Sequence, residues 1–241
     1  MQKTETPSVQ ELKRFKHAKG DPRAFWFDGL STPIVRLLFK TPITPLQVNF
    51  SASVVGLLMG LAFIPGTLWG RFLGFGLFFL YIILDAVDGQ LARARVDITL
   101  KGAYLDKMGH YVVYPVAGMA IGYGSFVTTG SPVMLWMGFL LGLSQTISSA
   151  SRDSFRAIYK DRAESAPEKI EYERAGPVKR LALRLLRFET LLYLVVFSAL
   201  ADRLFATNWE AIVIGGYAIG LLFLNLFKTY LFYSNEQLYS R

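Results

Sequence analysis

Asp85-Ala86-Val87-Asp88-Gly89-Gln90-Leu91-Ala92-Arg93, eight further residues, and then Gly102-Ala103-Tyr104-Leu105-Asp106-Lys107-Met108-Gly109-His110 form the stretch on which the reading of this chain turns. On an α-helix, at about 100° per residue, Asp85, Asp88, Gly89 and Ala92 fall on one face, and Gly102, Asp106 and His110 form a second face at i, i+4 and i+8. Both faces belong to apolar helices: Phe72–Leu84 runs into the first pair of carboxylates, and Tyr111–Ile121 leads away from the second group.

Carboxylates at the edge of a bilayer need a partner. An Asp at mid-membrane costs about 2.5 to 3.5 kcal/mol on insertion, so three unpaired ones would offset much of what a whole span gains by burial. Clustered carboxylates also repel one another unless a cation lies between them. A divalent ion that prefers oxygen, Mg²⁺ or Mn²⁺, meets both demands and keeps positions open for phosphate oxygens. Solvated helix-end aspartates are the plainer alternative. They explain one Asp better than they explain this spaced set with Gly and Ala between the carboxylates.

The composition agrees with a membrane setting. Of 241 residues 52% are hydrophobic and 15% aromatic, which is too apolar for an ordinary soluble domain, and one membrane domain accounts for the length. There are no cysteines, so disulfides and thiolate metal sites are excluded. The net charge of +8 would suit nucleic acid, but the basic residues lie in loops between apolar runs, so an anionic lipid surface is the better partner. The first forty residues show no apolar core region that would mark a cleavable signal.

Residues 1–24 read as a polar cytoplasmic arm, in which His17 has no role. Residues 25–40, FWFDGLSTPIVRLLFK, read as an interfacial amphipathic helix with Ser31 or Thr32 at its start and Pro33 in its first turn. Thr41-Pro42-Ile43-Thr44-Pro45 breaks it, and Thr44 can cap the next helix. Six spans are then expected, Gln47–Ile64, Arg71–Asp88, Gly102–Phe126, Val133–Ser151, Glu189–Leu204 and Trp209–Phe232, within a domain of residues 41–235, followed by a tail of residues 236–241. Gly56, Gly60, Gly74 and Gly76 would let helices approach closely. The charged segment 152–187 lies outside the hydrocarbon, and Val178–Phe188 in it reads as a second interfacial helix.

Lys and Arg alternate in density along these loops. Eight lie in residues 1–40, three in 89–105, ten in 152–187 and two after Phe227, whereas the opposite loops carry only Arg71 and Arg203. By the positive-inside rule both termini and the carboxylate stretch face the cytoplasm.

The pattern Asp85-x-x-Asp88-Gly89-x-x-Ala92-Arg93, a gap of eight, Gly102-x-x-x-Asp106 and a polar residue four further on resembles the signature of the CDP-alcohol phosphotransferases. The resemblance extends to Thr41–Pro45 and to the six-span layout, so it covers most of residues 30–235. It implies an all-α integral membrane enzyme in the inner membrane of the cell, a homodimer, that transfers a substituted phosphate from CDP-diacylglycerol or another CDP-alcohol to an alcohol or phospho-alcohol acceptor. CMP is released, in phospholipid or polar-lipid synthesis. It further implies metal ligation by Asp85, Asp88 and Asp106. Gly89 and Ala92 would leave room for cytidine, Arg93 would contact donor phosphate, and Gly102 would allow close packing beside the pyrophosphate. One position departs from the pattern: the last residue, ordinarily an Asp that serves as ligand and base, is His110.

His110 therefore has three readings. It is the general base, since an imidazole changes charge near neutral pH; it is a metal ligand, which would favour Mn²⁺ or Zn²⁺ over Mg²⁺; or it replaces the aspartate with loss of activity. Arg152 and Arg156, four residues apart on one helical face, could grip an acceptor phosphate or a lipid headgroup, although flanking positive charge accounts for them equally. Two other functions fit the same chain: a catalytically silent homologue that binds nucleotide or lipid, and a small transporter. A transporter would need charged groups at mid-membrane, where only softer residues such as Asn49 and Asn225 stand.

Overall fold

The computed structural model describes residues 22–158 and 188–234. The expected arm up to residue 21, the charged segment from 159 to 187 with most of its interfacial stretch, and the tail after 234 lie outside the described residues. Within the described residues the protein is all helical: α1 (Pro22–Leu38), α2 (Pro45–Phe63), α3 (Leu68–Arg95), α4 (Leu100–Thr129), α5 (Val133–Ile158), α6 (Phe188–Phe205) and α7 (Trp209–Ser234). Five of these, α2, α3, α4, α5 and α7, contain stretches long and apolar enough to cross a membrane. The chain is thus an all-α membrane protein. The fifth expected span, Glu189–Leu204, coincides with α6, but that helix carries Glu189, Asp202 and Arg203 and is not among the five.

Local chemistry explains where the helices begin and end. Thr44 and Gln47 form a capping box at the start of α2: the Gln47 N–H donates to Thr44 Oγ1 (3.2 Å), and the Thr44 N–H donates to Gln47 Oε1 (2.8 Å). Thr99 caps α4 through the Gly102 N–H, 3.0 Å from its Oγ1. At the end of α3 the Asp97 N–H reaches the Ala92 carbonyl (2.9 Å) and the Val96 N–H that of Arg93 (3.3 Å), a Schellman closure in which Val96 takes φ 55°. The expected helix start at Ser31 or Thr32 is corrected. Helix α1 begins at Pro22 and runs through Pro33. Burial of Val35, with Ile34 and Leu38 packed beside it, favours continuation, and Gly29, whose carbonyl Pro33 leaves without its usual donor, has open space around it.

Two compact units share the helices between them. One comprises the residues up to Met59 with Gly76–Val113, the other Gly60–Phe75 with the residues from Tyr114 onward. In the first unit Val87, Leu91 and Ala94 of α3 are buried with Val35 of α1 and Val48 of α2. These three α3 residues lie on the side of the helix away from Asp85 and Ala92, with Asp88 at the boundary, so the apolar core orients the polar face. Helices α2 and α4 come together over small residues: a Cβ at Gly56 would stand 2.5 Å from Val113 Cγ1, and one at Gly109 would stand 3.0 Å from Ser53 Oγ.

In the second unit Gly60 lies against Val116 and Gly74 against the ring of Phe63, as expected of packing glycines; Gly76, in the first unit, faces open space. Arg71 is not a loop cation. It is fully buried, donates to the Phe63 carbonyl (3.1 Å) and Ser125 Oγ (2.9 Å), and forms an ion pair with Glu210. A buried guanidinium needs a carboxylate and further acceptors, and this one has both. Asp202 caps α7 by accepting from the N–H groups of Trp209 (2.7 Å) and Glu210 (2.9 Å).

Candidate metal and nucleotide site

All the residues of the quoted stretch fall in the first unit, on the last turns of α3 and the first turns of α4. The i, i+4 spacing sets Asp106 and His110 one above the other on α4. Ligand atoms of Asp85, Asp106 and His110 all lie within 4.8 Å of one another. His110 Nε2 is 3.9 Å from Asp85 Oδ1, and His110 Nδ1 is 3.7 Å from Asp106 Oδ1. For an ion held at about 2.1 Å by each donor, octahedral geometry places neighbouring donors roughly 3 Å apart and opposite donors roughly 4.3 Å apart. The 3.9 Å between His110 Nε2 and Asp85 Oδ1 falls in that range, and two carboxylates with one imidazole suit a divalent ion of the Mg²⁺, Mn²⁺ or Zn²⁺ type. The donor set fits a metal.

The imidazole has a defined orientation. His110 Nδ1 lies 2.9 Å from the backbone carbonyl of Asp106, which can only accept, so Nδ1 carries the proton. In the neutral ring Nε2 is then unprotonated and turned toward Asp85, the state required of a ligand or of a base. The Tyr81 ring meets the imidazole edge-on at 6.2 Å.

Asp88 is arranged differently. It is buried and accepts a hydrogen bond from Asn49 Nδ2 of α2. It is not one of the three grouped donors, although it is near enough to feel the charges of Asp85 and Asp106. Arg93 folds back along α3, and the space beside Gly89 is where its guanidinium lies: a Cβ there would stand 3.2 Å from Arg93 Nη1. Glycine at 89 therefore admits the arginine head. Ala92 and Gly102 are half-buried, Gly102 in the first turn of α4. Arg152 and Arg156 lie on α5 four residues apart, and their side-chain surroundings are outside the described residues.

Sequence reasoning gave Asn49 no part in the site. It lies in an apolar helix with no polar periodicity, and only the hydrogen bond to Asp88 reveals its place. A groove of about 690 Å³ in the same unit is lined by apolar residues including Leu38, Leu46, Phe50, Leu84 and Leu105. Leu84 and Leu105 immediately precede Asp85 and Asp106, so apolar surface adjoins the carboxylates.

Comparison with known proteins bears on the whole of this region. A family model described as CDP-alcohol phosphatidyltransferase matches residues 43–219. A curated relative from Thermococcus kodakarensis, named bifunctional IPC transferase and DIPP synthase, is 30% identical over 170 residues, which is 70% of this chain and 37% of the relative. The chain thus spans little more than a third of that relative's length.

Proposed function

Since the chain belongs to the CDP-alcohol phosphatidyltransferase family, we propose that it transfers a substituted phosphate from a CDP-linked donor to an alcohol acceptor, with release of CMP. The convergence of Asp85, Asp106 and His110 on one small volume is the observation that carries the reading. The relative's name, which includes a transferase activity, supports the same type of reaction.

In this reaction an acceptor hydroxyl attacks the phosphorus that bears the alcohol. A new P–O bond forms, the pyrophosphate bridge breaks, CMP leaves with the bonding electron pair, and the hydroxyl proton passes to a base. A divalent ion, Mg²⁺ or Mn²⁺, would be held by Asp85, Asp106 and His110 together with Asp88, and would offset charge on the phosphate oxygens. Arg93 would contribute a fixed positive charge to the donor phosphates. Half-buried Gly89, Ala92 and Gly102 would leave room for the nucleotide, since larger side chains would fill that space. With the ion held by the carboxylates alone, the unprotonated Nε2 of His110 would instead take the proton from the acceptor, since its one lone pair serves either use but not both. A second use of the same atom, ligation, is favoured by its approach to Asp85.

An apolar groove beside the carboxylates favours a donor or acceptor with a hydrocarbon tail, such as CDP-diacylglycerol. Arg152 and Arg156 would grip a phosphate on the acceptor or a lipid headgroup. The domain of residues 41–235 would cross the inner membrane six times, with α6 as the fifth span, α1 along the interface, both termini cytoplasmic, and two chains forming a dimer. Purified protein supplied with Mg²⁺ or Mn²⁺, a CDP-alcohol and a panel of alcohols is expected to release CMP. Chelation should stop the release and added metal restore it, and Asp85→Asn and Asp88→Asn should each abolish it. Persistence of CMP release in both variants would remove the carboxylates from the reaction.

A further inference from the structure

The pair formed by Asn49 and Asp88 carries a feature that the transfer reaction as described does not use. Asn49 is 5% exposed and Asp88 8% exposed. The amide Nδ2 of Asn49 donates to Asp88 Oδ2, while Asn49 Oδ1 is buried without a hydrogen-bond partner. A buried carbonyl oxygen left unmatched is costly by the full desolvation of that group. Among packing residues an apolar side chain of the same shape would avoid this cost, so the orphaned acceptor points to a ligand that matches it.

The chemistry of that ligand is constrained. Asn49 Oδ1 can only accept, so it calls for an N–H or O–H group. Asp85, Asp106 and His110 are grouped closely enough for a resident metal, with Asp88 as a further carboxylate, so such an ion has no need of the Asn49 carbonyl as a ligand. Asp88 precedes Gly89 and lies one helical turn before Ala92 on α3, the residues whose small size leaves room for a nucleoside. Cytidine offers both kinds of donor, the exocyclic amine of the base and the hydroxyls of the ribose.

We propose that Asn49 is a positioning and specificity residue of the donor site: its amide N–H fixes the Asp88 carboxylate, and its carbonyl oxygen accepts a hydrogen bond from the nucleoside of the CDP-linked donor. The inference rests on the reading of this site as one that takes a CDP-alcohol. It adds to the motif a residue from a different helix, α2, and makes nucleoside recognition depend on how α2 and α3 meet.

Equilibrium binding of CMP, UMP and 2′-deoxy-CMP to the purified full chain in detergent, with Mg²⁺ present, tests it. UMP lacks the amine and 2′-deoxy-CMP lacks one hydroxyl, so the two ligands separate the base from the sugar as the source of the hydrogen bond. The wild type should bind CMP about tenfold more tightly than at least one of the other two, as expected for one buried hydrogen bond. Asn49→Leu, close to isosteric, should weaken CMP by a similar factor and erase the discrimination, with Mn²⁺ alone still bound as evidence of a folded site. Asn49→Ser, whose hydroxyl can both donate and accept, should recover part of the difference. A folded Asn49→Leu protein that binds CMP as the wild type does, or keeps its discrimination, overturns the inference while leaving the transfer reading intact. A wild type that binds Mn²⁺ but no cytidine nucleotide would bring both down.

Discussion

A carbonyl oxygen marks the donor nitrogen of His110. The Asp106 carbonyl at 2.9 Å calls for the proton on Nδ1, which in the neutral ring leaves Nε2 unprotonated, and Asp85 Oδ1 stands 3.9 Å from it. An aspartate at this position could ligate a hard ion but would lack the nitrogen that suits Mn²⁺ or Zn²⁺. His110→Asp is therefore expected to retain CMP release and to shift its metal preference from Mn²⁺ toward Mg²⁺, measured as the metal concentration for half-maximal rate. His110→Phe, which keeps the ring and removes both nitrogens, should lower kcat by about 10²- to 10⁴-fold if the imidazole acts as the base. A His110→Phe protein of unchanged rate would leave the imidazole with packing alone. At this scale the sequence was informative where periodicity applied, since the i, i+4 relation of Asp106 and His110 follows from helical geometry. It said nothing of Asn49, because a pairing across 39 residues leaves no local pattern.

Among the elements, the junctions carry most of the specific chemistry. Arg95, two residues beyond the motif arginine, directs its guanidinium at the connection between α1 and α2. Its Nη1 donates to the Ile43 carbonyl (2.6 Å) and its Nη2 to those of Leu38, Phe39 and Thr41, with the Phe39 ring 5.8 Å away. The last carbonyl of α1, that of Leu38, and three in the connection after it lack helical donors, and this one side chain satisfies all four while holding the start of α2, the helix of Asn49. The next residue, Val96, closes α3 in a left-handed conformation that suits glycine and strains a β-branched side chain. Val96 is also 86% exposed, so its side chain gains little from packing. Val96→Gly should raise stability by about 1 kcal/mol, the net of relieved strain and added chain entropy, read as a higher Tm in detergent. An unchanged or lower Tm would show that the strain is compensated elsewhere. Most elements were legible in sequence, because long apolar runs with Thr caps and Gly or Pro breaks specify helices locally. The exceptions share one cause. Pro33 inside α1 and the extra turns of α3 beyond Asp88 depend on tertiary burial of Val35, Leu91 and Ala94, which overrides local signals.

For the whole molecule the open quantity is orientation in the bilayer, and burial sharpens the charge argument. Arg71, one of the two cations assigned to the sparse side, is neutralised inside the protein by Glu210 and presents no charge to the membrane surface. The asymmetry between loops is thus stronger than the sequence count implies, and it favours a cytoplasmic site. Helix α4, at 30 residues, is about 45 Å long, enough to carry the chain from one face to the other. The absence of cysteines makes the direction measurable, since any thiol introduced is the sole reactive one. Ile98, 72% exposed before α4, and Pro132, exposed after it, mark the two ends. In intact cells a membrane-impermeant maleimide should label Pro132→Cys and should label Ile98→Cys only after the membrane is opened. The reverse pattern would turn the carboxylates away from the cytoplasm. A CDP-linked donor made inside the cell could not reach them there, so the orientation and the proposed transfer stand or fall on the same experiment.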